Sequence, residues 1–232
     1  VASRGLGDVY KETGNKLHVP CVVSDPDEAV LEKESVFGQT FSYKGEKFAI
    51  SLAGVYQKEN AVLALNALEE LDRLGWTTTM EQRKDGLLHT SWKGRFTVIN
   101  KKPLFIVDGA HNAGAADKMA ESVRHYFNGK KLIYIMGVFA DKEYKIVLEK
   151  TAHFAEKIYT IETPDNPRAL PAEELAKAAR VYNSSAESTK SIKDAVEKAF
   201  SCAGDDENSV ILAFGSLSFI GALTNAVEEY VG

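Results

Sequence analysis

The stretch "FIVDGAHNAG", residues 105–114, decides how the rest of the chain is read. Three apolar residues run into an aspartate, a glycine, a histidine and an asparagine, and a small-residue helix follows. That order predicts a buried strand ending in a tight turn, with a helix starting at once. In an open parallel sheet, ligands collect beyond the carboxyl ends of the strands. Asp108, Gly109, Ala110, His111 and Asn112 would stand at such an end. Gly109 suits a sharp turn. Asn112 suits an N-cap, and the free N–H groups of a helix start attract anions. His111 could add a donor or a charge beside an anion, and Asp108 could accept from a ribose or hold a cation. The plainer alternative makes Asp108 and Asn112 caps and His111 a surface residue; spacing alone leaves both open.

Outward from there, further strands are predicted at "RFTVI", "LFIVD", "KLIYIMG", "KIYTIE" and "SVILAFG". Helices are predicted over 113–127, 141–154, 171–182, 191–202 and 217–230, with a further strand near Val181. Alternation of strands and helices indicates βα units. The almost wholly apolar strands indicate a sheet covered on both faces. The predicted fold class is therefore α/β, a Rossmann-like three-layer domain with a mainly parallel sheet, over residues 79–232.

Residues 1–78 read as the tail of a different domain. "DVYKETGNKL" suits a helix, "VPCVVSD" a short strand, and "QTFSYKGEKFAISLAG" a hairpin about Lys44-Gly45. "NAVLALNALEELDRLG" has Ala61, Leu65, Leu68 and Leu71 at helical spacing, with Asn60 as N-cap and Gly75 as stop. Thr79 and Gln82 suit a capping box. The chain opens at Val1 in what reads as mid-helix, so an N-terminal part of a longer protein is expected to precede it.

Composition narrows the function. The 232 residues are 44% hydrophobic and 26% charged, enough for a real core, and carry a net charge of −5 with no basic stripe. Nucleic-acid binding and adhesion to anionic membranes are disfavoured. No run is long enough to span a bilayer and no leader opens the chain. Cys21 and Cys202 lie far apart and suggest plain thiols in a reducing cytoplasm.

Two more strand ends carry polar residues. In "ILAFGSLSFIG", Ser216 follows a buried strand; it suits a ligand site in the layer of Asp108, or an N-cap. In "SWKGRF", Gly94 makes a turn and Arg95 suits phosphate recognition, or is an ordinary surface arginine. Neither the phosphate loop G-x-x-x-x-G-K-[ST] nor the dinucleotide fingerprint G-x-G-x-x-G is found.

Taken in order, "GVYQKENAVLALNAL", "WKGRF", "DGAHN" and "FGSLSFIG" resemble the folylpolyglutamate synthase and dihydrofolate synthase group of the ATP-dependent Mur ligase superfamily. The likeness covers roughly residues 50–232. Lys93 and Ala113 stand where that group usually or often has proline. The resemblance implies an amide ligase. ATP phosphorylates a folate carboxylate, and the amine of L-glutamate attacks the acyl phosphate. It further implies Gln57 and Asn60 near the adenine, Arg95 near the ATP phosphates and Asp108 near the ribose. His111 would lie near the transferred phosphoryl group, and Ser216 in the glutamate region. Magnesium ligands and the phosphate loop would belong to an N-terminal ATPase domain, of which residues 1–78 are the tail. The chain alone is then expected to be inactive. Other readings are another Mur-type amino-acid ligase, such as a cell-wall peptide ligase, or a non-catalytic α/β binding domain.

Overall fold

The computed structural model describes residues 6–19 and 21–232. Helix α1 spans Leu6–Lys16. The expected opening in mid-helix concerns Val1, outside the described residues. The strand expected in "VPCVVSD" does not form: residues 21–25 have no regular structure, and Pro20 lies outside the described residues.

A small antiparallel sheet follows, made of β1 (Val30–Ser35), β2 (Gly38–Tyr43) and β3 (Glu46–Ile50) in that order. The β2–β3 hairpin turns at Lys44-Gly45, both at positive φ. The charged run "VLEKES" hid β1. Its residues are nearly all exposed, so no alternation of apolar and polar positions marks it. Helix α2 (Gln57–Arg73) lays Ala61, Val62 and Leu65 onto Phe41, Tyr43, Phe48 and Ile50. It begins four residues before the start expected from an Asn60 N-cap. Asn60 is thus not the N-cap but sits in the first turn, where its Nδ2 donates to Gln57 Oε1 at 3.0 Å. Gly75, at φ +93, follows the last turn as expected. Helix α3 (Met80–His89) opens with the full Thr79–Gln82 capping box and is tied to the small unit by the Arg83–Asp72 and Lys84–Glu46 ion pairs.

The larger sheet has six strands in the order β4-β5-β9-β6-β7-β8. They are β4 (Thr97–Lys101), β5 (Leu104–Val107), β6 (Lys131–Met136), β7 (Lys157–Thr160), β8 (Ala186–Ser188) and β9 (Ser209–Phe214). All neighbours run parallel except β4, which pairs antiparallel with β5 at one edge. Strand faces alternate as the pleat requires. Val210, Leu212 and Phe214 of β9 enter one core with α4 (Ala113–Phe127), α5 (Tyr144–Thr151) and α6 (Ala172–Arg180). Ile211 and Ala213 enter the other core with α7 (Ile192–Ala203) and α8 (Ile220–Val231). This is the three-layer, mostly parallel α/β architecture expected.

Several boundaries shift: the helix expected over 141–154 runs as α5 over Tyr144–Thr151 with a 3₁₀ turn, Ala152–Phe154, after it, and the strand expected at "RFTVI" spans Thr97–Lys101. The strand expected near Val181 is β8, five residues later; Val181 is the exposed C-cap of α6. The helix expected over 217–230 starts as a three-residue 3₁₀ turn, Leu217–Phe219, before α8.

Connectivity fixes where a crevice lies. The chain runs outward from β5 through β6 and β7 to β8, then returns through α7 to insert β9 between β5 and β6. The helices after β5 and β9 leave toward opposite faces, so the carboxyl ends of these strands diverge. That is where an open α/β sheet binds ligands.

Candidate active site

Asp108 follows β5, and its backbone N–H continues the ladder to Ala213 at 2.8 Å. Because β4 runs antiparallel to β5, the turn that enters β4 meets the end of β5. The Phe96 N–H donates to Asp108 Oδ2 at 2.8 Å, and the Ala110 N–H donates to Oδ1 at 2.8 Å. Gly94 (φ +81) and Phe96 (φ +46) give the turn its shape. Asp108 is 4% exposed. Burial raises its pKa to about 6, against the opposing pull of those two N–H donors, Arg95 and His111. Burial also pushes the phenol of neighbouring Tyr56 up, and the negative charge of Asp108 adds to it.

Gln57, Asn60, Arg95 and Asp108 line one cavity of about 640 Å³ between α2 and the larger sheet. Its walls are mostly apolar, with Ile50, Leu52, Ala61 and Leu87 among them, and Lys118 of α4 lies at its edge. The Arg95 guanidinium lies over the Trp92 ring, 5.5 Å from its centroid.

His111 and Ser216 fall outside that cavity and share a second one, of about 260 Å³, with Phe139, Lys142, Arg168 and Leu217. His111 Nδ1 lies 2.7 Å from the Gly109 carbonyl. A carbonyl only accepts, so Nδ1 carries the proton and Nε2 remains for a ligand. Ser216 is 6% exposed, and its Oγ accepts the Ser218 N–H at 3.2 Å. It therefore does cap, but it caps the short 3₁₀ turn and not the long helix. Asn112 caps α4, accepting the Ala115 N–H at 2.9 Å.

Sequence reasoning missed Lys142 and Arg168. Arg168 is held by two hydrogen bonds to Asp141, 3.2 and 2.5 Å, and stacks over Phe139 at 4.8 Å. It sits in "TPDNPRALP", which reads as an ordinary proline-rich loop, and Lys142 falls in the helix expected over 141–154 but lies in the turn before α5 starts at Tyr144; only the topology brings both beside Ser216. Among the described residues, no group of three or more His, Cys, Asp or Glu side chains could hold a metal ion.

The Mur ligase, glutamate ligase domain family matches residues 94–217, just over half of the chain. The chain belongs to the Mur ligase family. The match begins at the Gly94 turn and ends at Leu217, so it encloses Arg95, Asp108, His111 and Ser216. Over 218 residues the chain is 28% identical to the dihydrofolate synthase/folylpolyglutamate synthase of Bacillus subtilis, covering 91% of this chain and 48% of that one. It thus spans about half the length of that relative. Among solved structures, the Mycobacterium tuberculosis folylpolyglutamate synthase complexed with ADP and AMPPCP superposes with a TM-score of 0.78. The identity is 22%, with 97% of this chain and 52% of that chain covered. A bifunctional folylpolyglutamate synthase/dihydrofolate synthase with Mn, AMPPNP and L-glutamate bound gives 0.71 at 20% identity, covering 95% and 51%. At such identities the superpositions establish the shared Mur ligase fold. No helix among the described residues is long and apolar enough to cross a membrane.

Proposed function

We propose that this chain is the C-terminal part of a cytoplasmic, ATP-dependent ligase that adds L-glutamate to a folate, a folylpolyglutamate synthase with or without dihydrofolate synthase activity. Residues 1–78 would be the tail of its central ATPase domain and residues 79–232 its C-terminal domain.

The observation that carries this reading is the pairing of two unlike cavities around one turn. The larger is an apolar slot with two amides on its side and an arginine and an aspartate at the carboxyl end of the sheet. That chemistry fits a nucleoside with phosphates: apolar walls for the base, Gln57 and Asn60 for its edge, Asp108 for the ribose hydroxyls, Arg95 for phosphate oxygens. The smaller has Lys142, Arg168 and His111 beside a serine, which fits a dicarboxylic amino acid. The named relatives and the nucleotides and glutamate in their structures support the same assignment.

In this reading the folate carboxylate attacks the terminal phosphorus of ATP, and ADP leaves. The glutamate amine then attacks the acyl carbon. The bond from that carbon to the phosphate oxygen breaks, phosphate leaves, and the nitrogen gives up a proton. His111 would stabilise charge on the transferred phosphoryl group and on the leaving phosphate. The Mg²⁺ ligands and the phosphate loop are assigned to an N-terminal ATPase domain, as the resemblance to the folate ligases implies.

The test is glutamate- and folate-dependent phosphate release. The 232-residue chain alone should stay at background, and the same chain joined to an N-terminal half bearing a phosphate loop should turn over. Turnover by the chain alone would remove the division of labour. No folate dependence in the joined protein would point to another Mur-type ligase.

A further inference from the structure

Two tryptophans are present in the chain, Trp76 and Trp92. Both are largely exposed, at 74% and 61%. Exposure alone distinguishes neither, since singly exposed apolar side chains are ordinary. Trp76 lies outside the nucleotide-sized cavity, whereas Trp92 forms part of its wall. The backbone of Trp92 is held in place although its ring is open. Its carbonyl accepts the Arg95 N–H and the Thr97 hydroxyl, each at 3.2 Å. One side of the ring carries the Arg95 guanidinium, 5.5 Å from the centroid.

The polar edge of the cavity narrows the ligand. Asn60 Nδ2 is committed to Gln57 Oε1 at 3.0 Å. That leaves Asn60 Oδ1 as the free acceptor, with the second Asn60 Nδ2 hydrogen and both Gln57 Nε2 hydrogens as donors. Adenine offers the complement, an amino donor next to a ring-nitrogen acceptor, whereas a keto purine offers an acceptor in place of the amino donor. A flat heteroaromatic ring whose edge is read by these amides needs a flat apolar neighbour.

We infer that Trp92 is a specificity residue for the nucleotide, its indole stacking on the adenine base while Arg95 covers part of the ring and turns its charge toward the phosphates. The inference rests on the ATP reading above. Base–aromatic stacking of this kind and cation–π contact reinforce one another, since both use the face of the indole.

The experiment uses the 232-residue chain carrying Trp76→Phe, so that Trp92 is the sole tryptophan. ADP, adenosine, GDP and inorganic tripolyphosphate are titrated, and indole fluorescence and calorimetric Kd are read together. ADP and adenosine should quench Trp92, and tripolyphosphate should not. GDP should bind more weakly than ADP. Trp92→Ala should weaken ADP binding about tenfold or more, Trp92→Phe much less, and neither should move the affinity for tripolyphosphate. Trp92→Leu keeps an apolar group without a π face and should behave like Trp92→Ala. Melting curves check that each variant folds. Calorimetric ADP binding with no quench, an unchanged Kd in Trp92→Ala, or full affinity in Trp92→Leu would overturn the stacking role and leave the ATP reading standing. Failure of the unaltered chain to bind ADP at millimolar concentration would overturn both.

Discussion

The Gly109 N–H donates to the Gly94 carbonyl at 2.7 Å, joining the turn after β5 to the turn before β4. Leu217, from the turn after β9, covers both glycines. A Cβ on Gly109 would come within 2.5 Å of Leu217 Cδ2, and one on Gly94 within 2.7 Å of the same atom. The motifs "WKGRF", "DGAHN" and "FGSLSF" thus meet at one point. The leucine lines the cavity of His111 and Ser216 and packs on the two turns that carry Arg95 and Asp108.

Gly109→Ala tests that junction. Gly109 does not have a positive φ, so backbone strain is small and the added methyl acts by collision with Leu217. Overpacking of this kind costs about 1–3 kcal/mol, a fall in Tm of roughly 2–12 °C for a chain of this size. Adding Leu217→Ala should recover part of the loss, because it removes the atoms the methyl strikes. Thermal melts of the two single variants and the double variant give the coupling. Additive losses would show that Leu217 does not mediate the effect.

Asp108 should give the cavity proposed for the nucleotide a pH dependence. Its pKa is raised from 3.8 to about 6, chiefly by burial. A carboxyl with a raised folded-state pKa contributes stability that is full below its unfolded pKa and is lost as pH climbs through the folded one. Asp108 should therefore lower stability progressively between about pH 4 and pH 6, and Asp108→Asn should remove that slope. Ligand binding has the opposite sense. If the carboxylate accepts from ribose hydroxyls, ADP affinity of the parent should fall as pH drops through about 6, and Asp108→Asn should be flat there. Melts and calorimetry across pH 4.5–7.5 check both slopes. Parallel profiles for parent and variant would remove Asp108 from the ligand.

Much of this site was legible because its residues sit at strand ends, and strand ends are written in the sequence as apolar runs that stop abruptly at Asp108 and Gly215. Helical spacing of Ala61, Leu65 and Leu68 likewise announced α2, and the residue types at Thr79 and Gln82 announced the capping box of α3. What stayed hidden depended on tertiary contact. The β1 strand has an exposed, charged face and no alternation to reveal it. Asn60 suits an N-cap by residue type, but its N–H bonds the Tyr56 carbonyl at 3.2 Å, which places it inside the first turn of α2. Arg168 and Lys142 come from connectors after β7 and β6, and their nearness to Ser216 exists only once β9 inserts beside β6.

His111 is assigned to charge stabilisation, which predicts a kinetic signature in the ligase formed with an N-terminal half. His111→Ala should lower kcat by about 10²-fold or more, as loss of a preorganised charge stabiliser does, with a smaller change in KM for ATP. Asp108→Ala should do the reverse, chiefly raising the apparent KM for ATP. Steady-state kinetics of both variants decide it. Near-normal values for both would leave the Gly109 contact of His111 and the backbone contacts of Asp108 as purely structural.

Ser216 has one observed duty and one proposed duty, and the two can be separated. Its Oγ accepts the Ser218 N–H at 3.2 Å and lies 2.7 Å from Ser218 Oγ, so it stabilises the 3₁₀ turn whatever the substrate. It also lines the small cavity beside Lys142, Arg168 and His111, where the glutamate carboxylates are proposed to bind. Ser216→Ala removes both and should cost about 1 kcal/mol of stability through the lost cap. Ser216→Asn and Ser216→Asp both retain a capping oxygen, and differ in charge. An aspartate would compete for the cationic side chains and repel the incoming carboxylates. Both variants should melt near the parent. Ser216→Asp should show a much higher KM for glutamate than Ser216→Asn, with KM for ATP little changed in either. Melting temperature and glutamate kinetics on the complete ligase read these out. Equal glutamate KM values in parent, Asn and Asp variants would reduce Ser216 to a cap and take it out of the substrate site.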